Sequence, residues 1–500
     1  MKVTQVALRP TSASDQAGRP SLTPELLAAS GARYSRSNDG LEAILAKIDP
    51  ENLDKSVDSI FKMIDYGHQS IADMVPVALF MDGVSLWLAY HLWTLCPVAG
   101  GQESSTRYIN YQSAQDFDGA DFGIAENKRD DWKKQVRESF AAYESALKIW
   151  EMVAEREPQV MRLPQSLMDD SSEKATKQVA RIRRNYAFDR ARNFLPTCAP
   201  TNVMMIQSAR AWAILCAHLC SHALPEAQRL GAAIRDELEL AAPRMTRHAG
   251  AKPSLQNGQN HEFELWQILA QNPCACLESE KETETEHGGF AVTDNGTDRH
   301  GSNRDFSPQN CAHEHPPNAF LSVNLPRDVS ESDLCDALQF HDNRYAWIGS
   351  ALQRSSTRFG WDAVAFAEIR DLNRHRTGTK WCPLVPRGFY AALDQLPPQF
   401  ENEFGDELRA LSTFGRDVSR DALNQLRDAD ASYVYSLLLG TQFSFEHTTT
   451  ADKFVYEAEL RTGTGAHYRY AQHLRDVLAL WYQKFPSTKD RVLEGSAEPE

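Results

Sequence analysis

No uncharged apolar run in the 500 residues reaches the roughly 18 that a membrane-spanning helix needs, so the sequence predicts no transmembrane segment and no membrane partner. The opening MKVTQVALRPTSASDQ has no apolar core of the kind a secretory leader carries. Surplus positive charge is missing too: Lys+Arg 53 against Asp+Glu 68 leaves a net charge of −15. A chain this acidic lacks the basic face that tracks a duplex, which argues against a nucleic-acid partner, although a local basic pocket for a small polyanion stays open. A disulfide framework is absent as well. The nine cysteines are an odd count and mostly scattered singly, which suits reduced thiols and a cytoplasmic location. What remains is an ordinary globular composition, 42% hydrophobic and 24% charged, in a chain long enough for more than one domain.

Apolar spacing predicts mostly helix. Leu41, Ile44, Leu45 and Ile48, then Val57, Ile60, Phe61 and Ile64 beyond Pro50, place an apolar face on each side of a proline break. Residues 204–240 read as a second long helical stretch interrupted near Pro225, and helical periodicity runs again from Val329 to about Phe485. Residues 249–317 are polar and include an acidic run from Glu278 to Glu286; they read as a linker or insert with some order around 263–269. The expected division is a flexible N-terminus (1–22), a first globular domain (23–248), the linker (249–317), a second domain (318–485) and a polar tail (486–500). Within the linker, Cys274, Cys276, Cys311, His313 and His315 are a candidate zinc set. Their spacing, C-x-C and C-x-H-x-H, departs from the commoner zinc patterns, and incidental Cys and His in a flexible segment is the favoured reading.

Three clusters bear chemistry: Gly67-His68-Gln69-Ser70; Gln102-Glu103-Ser104-Ser105-Thr106-Arg107-Tyr108; and Arg374-His375-Arg376-Thr377-Gly378-Thr379-Lys380. Two arginines flanking a histidine, with hydroxyls and a glycine after them, suit phosphate or pyrophosphate, because guanidinium offers a planar fork of donors. The second cluster joins hydroxyls to one Arg and one Glu, a cradle for a sugar-phosphate. The alternatives are a solvated basic turn for the third cluster, helix capping for the second, and a hydrogen-bonded core histidine for His68.

Taken together these residues resemble the flavin-dependent thymidylate synthases. Gly67, His68 and Ser70 match that family's opening element, with Asp73 and Met74 where it carries Glu and His. Ala32-Arg33-Tyr34-Ser35 resembles an early A-R-x-S, and Glu103, Ser105, Arg107 and Tyr108 match the nucleotide loop. Ala191-Arg192 with Leu195-Pro196 resembles A-R-x-x-L-P. The first half departs where the family's R-H-R belongs, with Thr94-Leu95-Cys96, and His218 replaces a second nucleotide-binding arginine. The second half shows the reverse. Arg374-His375-Arg376 is intact and Arg461 matches the second arginine, whereas Leu384 and Pro386 replace the loop Ser and Arg.

The resemblance implies an α+β fold of two tandem family-like domains, predominantly helical with small antiparallel sheets, each half keeping what the other lost. It implies an enzyme, a cytoplasmic FAD-dependent methyltransferase acting at C5 of a pyrimidine nucleotide, dUMP to dTMP. Methylenetetrahydrofolate and NADPH would be co-substrates. His68, Ser70, Arg374, His375 and Arg376 would hold FAD. Gln102, Glu103, Ser105, Arg107, Arg192, Asp371 and Arg461 would hold the nucleotide, and Arg461 and Arg374 would carry the catalytic charge. Asp371 stands where the family has a Gln that reads the pyrimidine. A flavoprotein of the same fold acting on another nucleotide, and a nucleotide-binding paralogue without turnover, are the alternatives. A homodimer of tandem chains would imitate the family's tetramer.

Overall fold

The computed structural model describes residues 1–6, 22–35, 41–49, 52–65, 70–96, 99–107, 109–111, 117–271, 318–463 and 466–495. The zinc candidates Cys274, Cys276, Cys311, His313 and His315, together with His68, lie outside the described residues.

The fold is mostly helical, with two small antiparallel sheets that share one strand plan. The first sheet contains β1 (Lys2–Val6), β2 (Pro76–Ser85), β3 (Gly100–Glu103) and β4 (Pro200–Ser208), in the spatial order β1-β2-β4-β3. The second contains β5 (Ala319–Asn324), β6 (Ser356–Ala365), β7 (Thr379–Trp381), β8 (Gly388–Phe389) and β9 (Thr441–Thr450). Its order is β5-β6-β9-β7, with β8 also pairing β9. The second strand of each sheet carries a register shift, between Asp82 and Val84 in β2 and between Trp361 and Val364 in β6. In each half two strands run directly into helices: β2 into α1 (Leu86–Leu95), β4 into α2 (Ala209–Cys220), β6 into α3 (Phe366–Leu372) and β9 into α4 (Ala451–Thr462). Ser85 and Ser208 make two of these switches by capping: each hydroxyl accepts an N–H of the first helical turn.

Two segments expected to be loose are built in. The Lys2–Val6 stretch turns Val3 inward and pairs along β2, so these residues are an edge strand. In the expected tail, Val492 is buried, Thr488 receives the indole N–H of Trp481, and the Leu493 N–H donates to Glu459. Residues 253–270, assigned by composition to the linker, form an 18-residue helix, Pro253–Ala270, whose Ala270 carbonyl accepts from Arg427. The first part of the stretch read as helix from 204 is the strand β4. Its inward Val203, Met205 and Gln207 alternate, and the chain passes through the single capping residue Ser208 into α2 with no Gly or Pro to mark the boundary. The thiols of Cys96, Cys198, Cys216, Cys220, Cys335 and Cys382 are free. No helix among the described residues is long and apolar enough to cross a membrane.

The halves are tied by backbone. Pro196 and Leu438 form an antiparallel bridge. Around it the Thr197 N–H donates to Leu437 O (2.9 Å), the Leu439 N–H to Leu195 O (2.9 Å) and the Gly440 N–H to Asn193 O (2.7 Å). Such bonds contribute about 0.5–1.5 kcal/mol net each and leave no buried carbonyl orphaned. The long helix Arg129–Arg156 adds Trp132 and Gln135, whose side chains donate to Tyr435 O and Ser436 O. Buried apolar residues from Val3 to Val492 form one continuous core. Within it Phe194 meets Phe389 across the junction, ring centroids 5.4 Å apart.

Removing the fully buried Phe194 ring (Phe194→Ala) is expected to cost about 3–5 kcal/mol. Because the core is shared, the urea curves read in both halves should shift together. Two separated transitions would show that the halves melt independently.

Candidate functional site

The residues singled out from the two halves meet at the junction. Past β3 the chain turns through Ser105, whose hydroxyl accepts the Arg107 N–H at 3.2 Å. This turn drives Arg107 inward, where its Nε and Nη2 donate to the two carboxylate oxygens of Asp189 at 2.7 and 2.8 Å. Asp189 is near the end of the helix Glu173–Ala191, and the 3-10 turn that follows places Arg192. Arg192 reaches Thr106 Oγ1 at 3.3 Å, and its two terminal nitrogens donate to Asp371 Oδ2 of the second half at 3.3 and 3.2 Å. Arg374, one turn on from Asp371, holds the other oxygen at 3.1 Å. A second cross-junction pair joins Arg370 to Glu103. Asp371 is therefore the shared anion of one guanidinium from each half.

Burial alone would raise the Asp371 pKa, but Arg374, Arg192, Arg107 and Arg461 hold it down to about 2. Arg107 is raised by Asp189 despite its own burial. Arg192 is 2% exposed and Asp371 3%, whereas the Arg374 side chain keeps 49% accessibility. The pairs thus form the floor, and Arg374 reaches the opening. Beside it the Arg376 guanidinium carbon sits over the Trp93 ring of α1, 3.9 Å from its centroid.

His375 turns inward between these arginines. The Arg461 Nε–H donates to His375 Nε2 at 2.6 Å, so the imidazole accepts there and carries its proton on Nδ1. Burial, opposed by Glu457 and reinforced by Arg461, pushes its pKa down to about 3. Glu457 stands 3.9 Å from His375 and 3.0 Å from His447 Nδ1. Lys380 donates to the His375 carbonyl. The expected direct contact between His375 and a ligand therefore gives way to a buried neutral imidazole that orients Arg461.

Ser70 is not brought into this cluster. It opens a short helix, Ser70–Asp73, at the far end of β4, where Asp73 meets Ser208 and Arg210. Gln102 is exposed on β3. Sequence reasoning missed Asp189, Arg370, Trp93, Glu457 and Tyr470, the last of which lies under Arg461. Asp189 and Arg370 neighbour residues that were singled out. Trp93 carries no local signal.

The matching place in the first half is filled. Counted from the strand–helix junctions at Ser85 and Ala365, His91 corresponds to Asp371, and Thr94, Leu95 and Cys96 correspond to Arg374, His375 and Arg376. There His91 stacks on Trp87 (5.2 Å) and meets His222 edge-on (5.1 Å), while Tyr435 packs on Trp87 and Phe122. Burial pushes His222 down to about 4.

Two outcomes follow from these charges. Asp371→Asn leaves Arg192 buried without its anion and should cost about 3–5 kcal/mol in urea denaturation. Asp328→Asn, which breaks the exposed Arg354 pair, should cost about 1 kcal/mol or less; equal costs would contradict the buried-pair reading. Because the folded-state pKa of His222 lies below its unfolded value near 6.5, its contribution is complete above pH 6.5 and is lost as pH falls toward about 4. Wild type should therefore lose about 3 kcal/mol more than His222→Gln between pH 7 and 4. Parallel stability curves for the two proteins would contradict this assignment.

No curated protein matches the chain. Among solved structures, a UMP/dUMP methylase PolB from Streptomyces cacaoi, bound with 5-Br dUMP, is 17% identical with a TM-score of 0.30, covering 49% of this chain and 93% of that one. The flavin-dependent thymidylate synthase ThyX from Helicobacter pylori, complexed with FAD and dUMP, is 15% identical with a TM-score of 0.27, covering 47% and 93%. The family model described as thymidylate synthase complementing protein matches residues 21–244, the stretch that holds Arg107 and Arg192.

Proposed function

We propose that the chain is a flavin-dependent enzyme that methylates C5 of a pyrimidine nucleotide, dUMP to dTMP, with methylenetetrahydrofolate as carbon donor and NADPH as reductant. In this reading residues 23–248 and 318–485 are two family-like domains, and one composite cradle forms between them. The observation that carries the reading is the convergence of Arg107 and Arg192 from one half with Arg374 and Arg461 from the other around Asp371. The recurring strand order of the two sheets supports the tandem arrangement. A homodimer would complete the four-domain set.

The residues present suit FAD. Arg376 has no hydrogen-bond or ion-pair partner among the described residues, Arg374 is half accessible, and an indole lies beside them. Such donors fit a phosphate-bearing planar ligand. Bound there, FAD would supply hydride transfer from NADPH, the redox work the side chains cannot do. Arg374 and Arg376 would hold it.

The chain's own residues would bind and polarise the nucleotide. Ser105 and its loop, backed by Arg107, face the 5′-phosphate. Arg461, oriented by neutral His375, stabilises negative charge on a pyrimidine carbonyl oxygen, which makes C5 nucleophilic without a covalent enzyme adduct. No Ser-His-Asp arrangement surrounds Ser105, which makes it a ligand and not a nucleophile. Asp371 gives a reason to keep a second reading, a different pyrimidine nucleotide. An acceptor-only carboxylate stands where an amide would both donate and accept.

The test is direct. Purified protein should take up FAD, turn yellow, and release tritium from C5-labelled dUMP when given NADPH and methylenetetrahydrofolate. Arg461→Ala or Arg374→Ala should lower turnover on the order of 10²–10³-fold, as loss of a charge-stabilising donor does. FAD uptake without dUMP turnover supports the second reading, and colourless protein that binds nucleotide without flavin overturns the enzyme.

A further inference from the structure

Trp93 belongs to the half that has lost the family's cations, yet its indole is fixed on three sides at the cradle. Its Nε1–H donates to Glu103 Oε2 at 3.2 Å, and the other Glu103 oxygen takes Arg370 from the second half. Behind it lies Gly101, where a Cβ would come within 2.8 Å of the Trp93 ring and 2.1 Å of the Met204 carbonyl oxygen. Only glycine lets the indole pack this deep. Over its open face lies the Arg376 guanidinium, 3.9 Å from the centroid. Both side chains are part-exposed. A guanidinium laid on an aromatic face keeps its N–H groups in a plane parallel to the ring, free to meet an anion. No anion among the described residues meets Arg376, although Arg107, Arg192, Arg370 and Arg374 all have one.

We propose that Trp93 is a positioning residue of the cofactor cradle. Held by Glu103 and Gly101, its ring lays Arg376 flat and aims it at the phosphate or electron-poor ring of a flavin dinucleotide. The half without cations thus supplies the platform for a cation of the other half. This rests on the flavin reading above and adds a residue to it.

The test uses the full chain. Wild type, Trp93→Ala, Trp93→Phe, Arg376→Ala and the double variant Trp93→Ala/Arg376→Ala are titrated with FAD by flavin fluorescence. Their melting temperatures are also read with and without inorganic pyrophosphate. Trp93→Ala should weaken FAD binding about tenfold, the size of a partly desolvated cation–π contact, and Trp93→Phe, which keeps a ring, should restore most of it. The double variant should bind no more weakly than Arg376→Ala, because the ring acts through that guanidinium. Wild-type affinity in Trp93→Ala, or additive losses in the double variant, would reduce Trp93 to packing. Should Trp93→Ala fail to fold, Glu103→Met removes the acceptor of the indole N–H and leaves the ring. It should weaken FAD binding two- to threefold, about the worth of one hydrogen bond, and unchanged binding would overturn the proposal. If wild type takes up no FAD, the flavin reading fails. The platform then stands only if pyrophosphate raises the wild-type melting temperature and does so less in Trp93→Ala and Arg376→Ala.

Discussion

A single carboxylate organises the junction. Asp371 is taken out of water together with Arg192, and Arg374 shares it from the opening. Burying such charges is costly, by several kcal/mol per ion, and the arrangement is tolerated because each carboxylate oxygen meets a guanidinium and neither oxygen is left bare. The neighbouring pairs obey the same constraint. Asp189 neutralises Arg107, and Glu103 neutralises Arg370. The cations left short of an anion are those nearest the opening, Arg374 sharing Asp371 and Arg376 on its indole. Positive charge is thereby spent on holding the halves together in the interior and left available at the surface.

The two sheets keep one frame and carry different chemistry. Strand order, the strand-to-helix switch and the register shift recur in both halves. The chemistry does not. Where the second half places Asp371 and its arginines, the first packs His91, Trp87, His222, Tyr435 and Phe122 as a ring cluster. At matching strand-to-helix junctions the first half is filled by rings and the second keeps polar groups.

Much of this was legible in the residues. Arg374-His375-Arg376, Glu103–Arg107, Arg192 and Arg461 announce themselves because cations clustered with hydroxyls are uncommon in a core-forming segment. The complementary losses at Thr94–Cys96 and Leu384–Pro386 point to shared construction. Partners given by tertiary contact were not legible. Asp189 reads as one more acid on a helix, and Trp93 as one more apolar position. The resemblance puts His375 among the flavin-holding residues and gives no sign that its Nε2 accepts from Arg461. The strand Lys2–Val6 and the buried Val492 were not legible, since two valines three apart and one valine in a polar surrounding carry no period.

The backbone bridge at Pro196 and Leu438 also limits how the molecule can move. Halves stitched main chain to main chain, with aromatic rings interleaved across the seam, cannot open like jaws without tearing a ladder. Admission to the cradle then falls to small excursions: the swing of a long guanidinium arm and the flexing of the turn around 105. Traffic through such a doorway is gated by rotamers, on a timescale far shorter than that of a hinge.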